Sequence, residues 1–451
     1  MSRLFGTDGI RGVVNSEPMT VDTVLKIGKA IAHVFRSRSK KSRFLIGKDT
    51  RLSGYMFETA LSAGICSMGA DVLLVGPLPT PGVAFVTTDL RADAGSVISA
   101  SHNLYQDNGI KFFAPDGFKL PDRLEEQIES LVLSSEINKV NSRSINTGKA
   151  YRVADAIGRY MVFLKNVIPK GITFDGIKVV LDCANGAAYK IAPALLEDLG
   201  CKVVSINTKP TGKNINHNCG AMYPQEMASA VKRVGADVGF SLDGDGDRLI
   251  ASDEKGNVLD GDHLIYIFAK YMKKKKELNS NMVVSTHMSN FGLEQVLSEL
   301  GIKFLRTSVG DRYVVEEMRK NNLNLGGEQS GHIVFLNHHT TGDGLITALK
   351  LLLILKDTAT PLSLLTKGIH IYPQILKNIS VPEKKEISEM PALVKEINSV
   401  KKNLGNAGRI FVRYSGTENI LRIMIEGRDE RTIKKYAGSI ASIAREKIGA
   451  T

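Results

Sequence analysis

Tryptophan is absent from this chain of 451 residues, and aromatic residues make up only 6% of it. So thin an aromatic supply argues against an aromatic-rich β-sandwich. Cysteine is scarce too. Cys66, Cys183, Cys201 and Cys219 form no C-x-x-C pair, so neither a zinc ribbon nor a disulfide framework is indicated. Reduced thiols in a cytoplasmic protein fit that pattern better. The opening, Met1-Ser-Arg-Leu-Phe-Gly-Thr-Asp8, has no apolar leader core, so no secretion signal is expected. No apolar run reaches the roughly eighteen residues of a membrane helix; the best candidate, Leu351 to Leu355, is short.

Glycine, by contrast, is plentiful at 42 residues, which suits α/β architecture with many tight turns. The length corresponds to about three domains at ~150 residues each. Lys and Arg (59) exceed Asp and Glu (47), for a net charge of +12. Such an excess suits nucleic acid, a membrane surface or an anionic small substrate. Part of it sits in Lys273-Lys-Lys-Lys276 and Lys401-Lys402, runs that read as solvated helix ends. No aromatic residues interleave with them, as a single-strand binder would require.

Periodicity exposes an internal repeat. Phe44 to Gly47 reads as a strand, Gly54 to Met68 as an amphipathic helix, Gly69 as its stop, and Val72 to Val75 as a second strand. The same order recurs at Val179–Asp182, Ala188–Leu199, Gly200 and Val203–Ile206. It recurs again at Met282–Ser285, Phe291–Leu300, Gly301 and Lys303–Leu305. Strand, crossover helix and parallel strand make a βαβ unit. Each unit is followed by a further apolar stretch and a polar loop: Ala100-Ser-His-Asn103, then Asp243-Gly-Asp-Gly-Asp-Arg248, then Gly326-Gly-Glu-Gln-Ser-Gly-His332. Ligands in open α/β sheets sit beyond the carboxyl ends of the strands, so three equivalent loops are expected to face a common cleft. From about Ile371 the pattern changes to strands Arg409–Tyr414 and Ile420–Ile425 and a helix Glu430–Ile448, a small α+β domain. The fold class expected is therefore three related βαβ-containing mixed α/β domains and a C-terminal α+β domain around a central cleft. Its divisions are 1–150, 151–256, 257–368 and 369–451.

Asp243, Asp245 and Asp247 set three carboxylates within five residues, a density that calls for a cation. An EF-hand is the rival, but Arg248 stands where that loop needs glycine and the flanks read as strands. Hard oxygen ligands favour Mg²⁺. Ser101-His102 invites a hydrolase reading, yet neighbours on an extended strand face opposite ways and no G-x-S-x-G elbow is present. Taken alone, that loop is more often structural. Its equivalence to the acidic loop makes Ser101 a candidate phosphoryl carrier. Arg413-Tyr-Ser-Gly-Thr-Glu-Asn419 is either a small anion cradle or an ordinary hairpin turn. Glu328, Ser330 and His332 supply the groups that polyol recognition needs, although a lone His332 is more often a structural histidine.

Together with Phe5-Gly-Thr-Asp-Gly-Ile-Arg-Gly12, these loops in this order resemble the α-D-phosphohexomutase superfamily over the whole chain. Gln329 and Val309-Gly-Asp-Arg-Tyr313 resemble the branch that acts on glucosamine phosphates; the mannose/glucose branch usually carries methionine in its sugar loop. The resemblance implies a reversible interconversion of glucosamine 6-phosphate and glucosamine 1-phosphate, through a phosphorylated Ser101 and a 1,6-bisphosphate. It implies Mg²⁺ held by Asp243, Asp245, Asp247 and the Ser101 phosphate, with Lys111, His332, Arg248 and Arg11 assisting catalysis. Glu328 and Ser330 would hold sugar hydroxyls; Arg413, Ser415, Gly416 and Thr417 would hold the phosphate that is not reacting. The four divisions become phosphoserine, metal-binding, sugar-binding and phosphate-binding domains. A phosphosugar is the expected partner, nucleic acid and membrane are not, and a homodimer is one assembly open to it. A phosphomannomutase/phosphoglucomutase and a non-enzymatic basic binding protein are the rival readings.

Overall fold

The structure of the protein, a computed structural model, describes residues 4–6, 8–36, 41–134, 136–138, 147–415 and 419–449. The chain forms two compact units: Met1–Thr286 with Leu305–Lys367, and His287–Phe304 with Gly368–Thr451.

The first sheet of the first unit contains β1 (Ile10–Val13), β2 (Arg43–Lys48), β3 (Asp71–Pro77), β4 (Ala94–Ile98), β5 (Asp107–Phe113) and β6 (Ala150–Arg152), in the order β1-β5-β4-β2-β3-β6. β2 runs parallel to both β3 and β4, while β5 is antiparallel to β4. Every residue of β4 is buried, which is why its sequence is a continuous small and apolar run rather than an alternation. Among the helices of this region are α1 (Val21–Val34), α2 (Ser53–Ser67) and α3 (Thr80–Asp89).

The second sheet contains β7 (Lys178–Asp182), β8 (Lys202–Ile206), β9 (Val238–Leu242), β10 (Leu249–Ser252) and β11 (Val258–Leu259), ordered β11-β10-β9-β7-β8. β7 is parallel to β8 and β9; β9 and β10 form an antiparallel hairpin with Leu242 opposite Leu249. A third group joins β12 (Met282–Thr286), β14 (Leu325–Gly327) and β15 (Ile333–Phe335), with β14 parallel to β12 and antiparallel to β15. β13 (Lys303–Thr307) spans the point where the chain returns from the second unit to the first. The recurring glycine stops are real in backbone terms: Gly69, Gly200 and Gly301 have φ of 88°, 93° and 63°, the left-handed residue that commonly ends a helix. The division expected at 150/151 falls inside β6, and the one at 256/257 falls in the turn between β10 and β11.

The second unit holds β16 (Gln374–Ser380), β17 (Gly408–Tyr414) and β18 (Ile420–Gly427), ordered β16-β18-β17 and antiparallel throughout. Helices Pro391–Leu404 and Glu430–Ile448 bury Leu393, Ile440 and Ala444 against Leu421, Ile423 and Ile425. The last helix is capped by Asp429, whose carboxylate accepts the Thr432 N–H at 2.8 Å. Among the described residues no helix is long and apolar enough to cross a membrane.

Candidate active site

Three residues beyond β4 the backbone turns sharply. Ser101 is almost fully buried and has φ 50°, a left-handed conformation that costs a non-glycine residue about 1–2 kcal/mol. The surroundings hold it there. Its N–H donates to Ser99 Oγ at 3.0 Å, and that hydroxyl donates to Asp49 Oδ2 at 2.6 Å. Its carbonyl accepts from Arg51 Nη2 at 3.0 Å and from Asn216 Nδ2 at 2.8 Å. Arg51 has no exposed surface. Its guanidinium also bonds Asp49 at 2.8 Å and the carbonyls of Asn103, Leu104 and Asp107, so all five of its donors are used.

This geometry corrects the extended-strand argument against a Ser101–His102 pair. Because Ser101 lies in a turn, His102 Nδ1 comes within 3.4 Å of Ser101 Oγ. The hydroxyl nevertheless has a better partner. It donates to Asp243 Oδ2 at 2.6 Å, and burial, then Arg248 and Arg11, depress the His102 pKa to about 4.

Asp243, Asp245 and Asp247 occupy the turn between β9 and β10 and are all buried, with strands on both sides and no EF-hand helices. One oxygen from each lies within 4.8 Å of the others. A Cβ on Gly244 would stand 2.6 Å from the Ser101 carbonyl oxygen, so only glycine lets the acidic loop approach the serine turn this closely. Burial, and then the charges of Asp247 and Asp245, hold the Asp243 carboxyl well above the usual range. Burial also opposes ionisation of Asp245, but Lys111 Nζ at 3.0 Å and the Thr80 hydroxyl at 2.6 Å outweigh it and hold its pKa low. Asp245 Oδ1 and Asp247 Oδ1 are buried without a hydrogen-bond partner. Orphaned carboxylate oxygens converging in a buried turn fit a hard divalent cation.

The remaining residues singled out in the first unit gather around this loop. Lys111 projects from β5; its ammonium contacts Asp245, Asp247 at 3.3 Å and Asp8 at 3.0 Å. Burial alone would lower the Lys111 pKa, but those carboxylates raise it well above the ordinary value. Arg11 pairs with Asp8. Arg248 and His332 face each other in an isolated antiparallel bridge, which joins the acidic loop to the loop after β14. His332 is buried, and neither ring nitrogen has a hydrogen-bond partner. Burial raises the Glu328 pKa; its oxygens accept from Gly310 N–H at 3.2 Å and from Ser330 Oγ at 3.5 Å. Thus Ser101, Lys111, Arg11, Arg248, Glu328, Ser330, His332 and the three aspartates belong to one compact unit.

Arg413 and Ser415 lie in the second unit; Gly416 and Thr417 lie outside the described residues. Arg413 sits opposite Arg422 across the β17–β18 pair. Burial, then the Arg422 charge, lowers the Arg413 pKa. Two guanidiniums directly opposed on a sheet repel, an arrangement suited to an anion. Arg422 was not visible as a candidate in the sequence because only the strand register pairs it with Arg413. Thr80, Arg51, Asn216 and Lys119 were missed for a similar reason: their contacts span long sequence separations. Asp8 and Asp311 stood inside quoted motifs, and their acidic character beside basic residues was the available signal.

Four domain profiles of the phosphoglucomutase/phosphomannomutase family match the chain: α/β/α domain I over residues 2–139, domain II over 159–256, domain III over 260–372 and the C-terminal domain over 376–443. The chain belongs to that family of phosphohexomutases, enzymes of the isomerase class. A Geobacter sp. (strain M21) protein named phosphoglucosamine mutase is 54% identical over 449 residues, covering 100% of this chain and 99% of its own. Another of that name, from Pelobacter propionicus, is 53% identical over 450 residues, with 100% and 99% coverage. Among solved structures, a phosphoglucomutase/phosphomannomutase family protein from Burkholderia thailandensis shares the fold at TM-score 0.81 and 23% identity, covering 100% of this chain and 99% of its own. An Aspergillus fumigatus N-acetylphosphoglucosamine mutase, solved with GlcNAc-6P and magnesium, shares it at TM-score 0.67 and 18% identity, covering 98% and 95%.

Proposed function

We propose that this chain interconverts glucosamine 6-phosphate and glucosamine 1-phosphate, on the route to UDP-N-acetylglucosamine and peptidoglycan precursors, with Ser101 as the phosphoryl carrier. The observation that carries the reading is the Ser101 hydroxyl, buried in a strained turn 2.6 Å from Asp243 and beside two more carboxylates. The full-length relatives named phosphoglucosamine mutase support the choice of sugar.

In the first half-reaction the bond from phosphorus to Ser101 Oγ breaks as a bond to one sugar hydroxyl forms, and a base takes the hydroxyl proton. That gives a 1,6-bisphosphate. After reorientation the other phosphoryl group returns to Ser101, and an acid supplies a proton to the departing sugar oxygen. Lys111 and His332 are the proposed acid/base pair. Asp243, Asp245, Asp247 and the Ser101 phosphate would hold Mg²⁺, which when bound neutralises charge on the group in transit. Arg248 and Arg11 add positive charge beside it. Glu328 and Ser330 are the proposed holders of sugar hydroxyls. Arg413, Ser415, Gly416 and Thr417 are the proposed holders of the unreactive phosphate, Arg413 through a guanidinium fork suited to phosphate. The four free cysteines support a cytoplasmic setting.

Isomerisation assays on glucosamine, glucose and mannose phosphates, with and without Mg²⁺, test the assignment. The glucosamine esters should turn over fastest and only with the metal. Preference for the glucose or mannose esters would move the chain to the other branch. Tight, steeply salt-dependent DNA retention with no turnover would favour a binding protein.

A further inference from the structure

A closed ring of ionisable side chains, basic residues alternating with carboxylates, runs beside the acidic loop. Lys111 Nζ stands 3.3 Å from Asp247 and 3.0 Å from Asp8 Oδ2. The other oxygen of Asp8 accepts from Lys119 Nζ, and the same ammonium bonds Asp311 Oδ2. Asp311 Oδ2 in turn lies 3.4 Å from His332 Nε2, which is 4.0 Å from Asp247 and closes the ring. Lys119 belongs to none of the family motifs. An isolated antiparallel bridge pairs Lys119 with Phe113, the last residue of β5.

The ring divides into two arms that meet at Lys119. On one arm Asp8 steadies Lys111, whose other contacts are carboxylates that a metal would claim. On the other, Asp311 is the nearest carboxylate to a histidine with no hydrogen bond of its own. The imidazole is placed by charge and shape: a Cβ on Gly342 would come within 2.5 Å of Nε2 and Cε1. A carboxylate that orients a catalytic base, and is itself held by a further group, is a recurrent device for fixing proton-transfer geometry.

We propose that Lys119 is a positioning residue that, through Asp8 and Asp311 together, sets Lys111 and His332 for proton transfer to and from the sugar oxygens. The inference rests on the reading of those two residues as the acid/base pair. Lys119 touches no substrate in this account. Its loss leaves two adjacent carboxylates without a shared cation, so Asp8 and Asp311 repel and both arms shift.

Steady-state kinetics on purified, Ser101-phosphorylated protein test it. Lys119→Met should lower kcat by about ten- to hundredfold, the usual scale for an outer partner, while KM stays within about threefold. Lys119→Arg should restore most of the rate, since it keeps the charge and two donors. Lys119→Met combined with Asp311→Asn should be no slower than the worse single variant, because residues acting as one unit are not additive. Gly342→Ala, whose added methyl group would press first on the His332 ring, should reduce kcat alone. If Lys119→Met does not fold, Asp311→Asn carries the comparison, with the same split between kcat and KM. An active wild type with an unaffected Lys119→Met, or with KM rising while kcat holds, or with multiplying losses in the double variant, would overturn this inference and leave the proposed function standing. An inactive wild type would overturn both.

Discussion

Arg51 Nη2 donates to the carbonyl oxygen of Ser101 at 3.0 Å, and the same guanidinium is anchored by Asp49, which accepts from Ser99 two residues before the serine. The turn carrying the proposed nucleophile is thus tied to a buried ion pair fifty residues away. Replacing Arg51 with methionine leaves Asp49 buried and uncompensated, which costs about 3–5 kcal/mol. Urea unfolding should show a loss of that size, and turnover should fall with it. A variant with wild-type stability would contradict the claim that this pair frames the turn.

The three aspartates are not equivalent without a metal. Asp245 is already compensated by Lys111, whereas Asp243 is held toward its protonated form by burial and by its neighbours. Asp243→Asn imitates that form and still offers Ser101 an acceptor. Metal-free Asp243→Asn should therefore be as stable as the wild type, or more so, to within about 1 kcal/mol. Its Mg²⁺ affinity, read by calorimetric titration, should drop steeply. Undiminished Mg²⁺ binding would remove Asp243 from the site.

His339 makes the fold sensitive to acid. Its Nδ1 accepts the Thr340 N–H at 2.8 Å, so the ring proton sits on Nε2 and is donated to Pro81 O at 2.8 Å, at the start of the helix that carries Thr80. Burial lowers the pKa from 6.5 to about 4. The unfolded chain then binds a proton near pH 6.5 that the folded chain refuses until about 4. The contribution of His339 to stability is complete above pH 6.5 and is lost as pH falls toward 4, by up to about 3 kcal/mol. His339→Gln should make denaturation midpoints between those values less steep in pH by about one proton. An unchanged slope would show that His339 is not the group responsible.

Arg413→Lys keeps the charge in the second unit but loses the planar fork. KM for glucosamine 6-phosphate should rise by about tenfold, the worth of one charge-assisted bond, while Ser101 phosphorylation is untouched. Equal KM values would take Arg413 out of phosphate binding.

Much of this was legible in the chain. The helix Glu430–Ile448 and strands such as β7 and β12 follow directly from apolar periodicity, and the buried cluster of three carboxylates follows from the charge density of the acidic loop. What escaped was set by tertiary contact. Ser101 enters a left-handed turn with no glycine or asparagine at its own position to mark it, because Arg51 and Asn216 impose the conformation from outside. Thr80 reaches Asp245 across 165 residues. Lys119 meets Asp8 and Asp311 across 111 and 192 residues, a juxtaposition that no local pattern carries.

Whether Ser101 carries the phosphoryl group is decided by a single-turnover chase. Protein labelled with ³²P at Ser101 would be mixed with glucosamine 6-phosphate and Mg²⁺, quenched, and the label followed between protein and sugar. The account predicts that label leaves Ser101 for the sugar at a rate no slower than turnover, that chelation stops it, and that Ser101→Ala neither takes label nor isomerises at more than a trace rate. Wild-type isomerisation at full speed with the label still on Ser101 would contradict it.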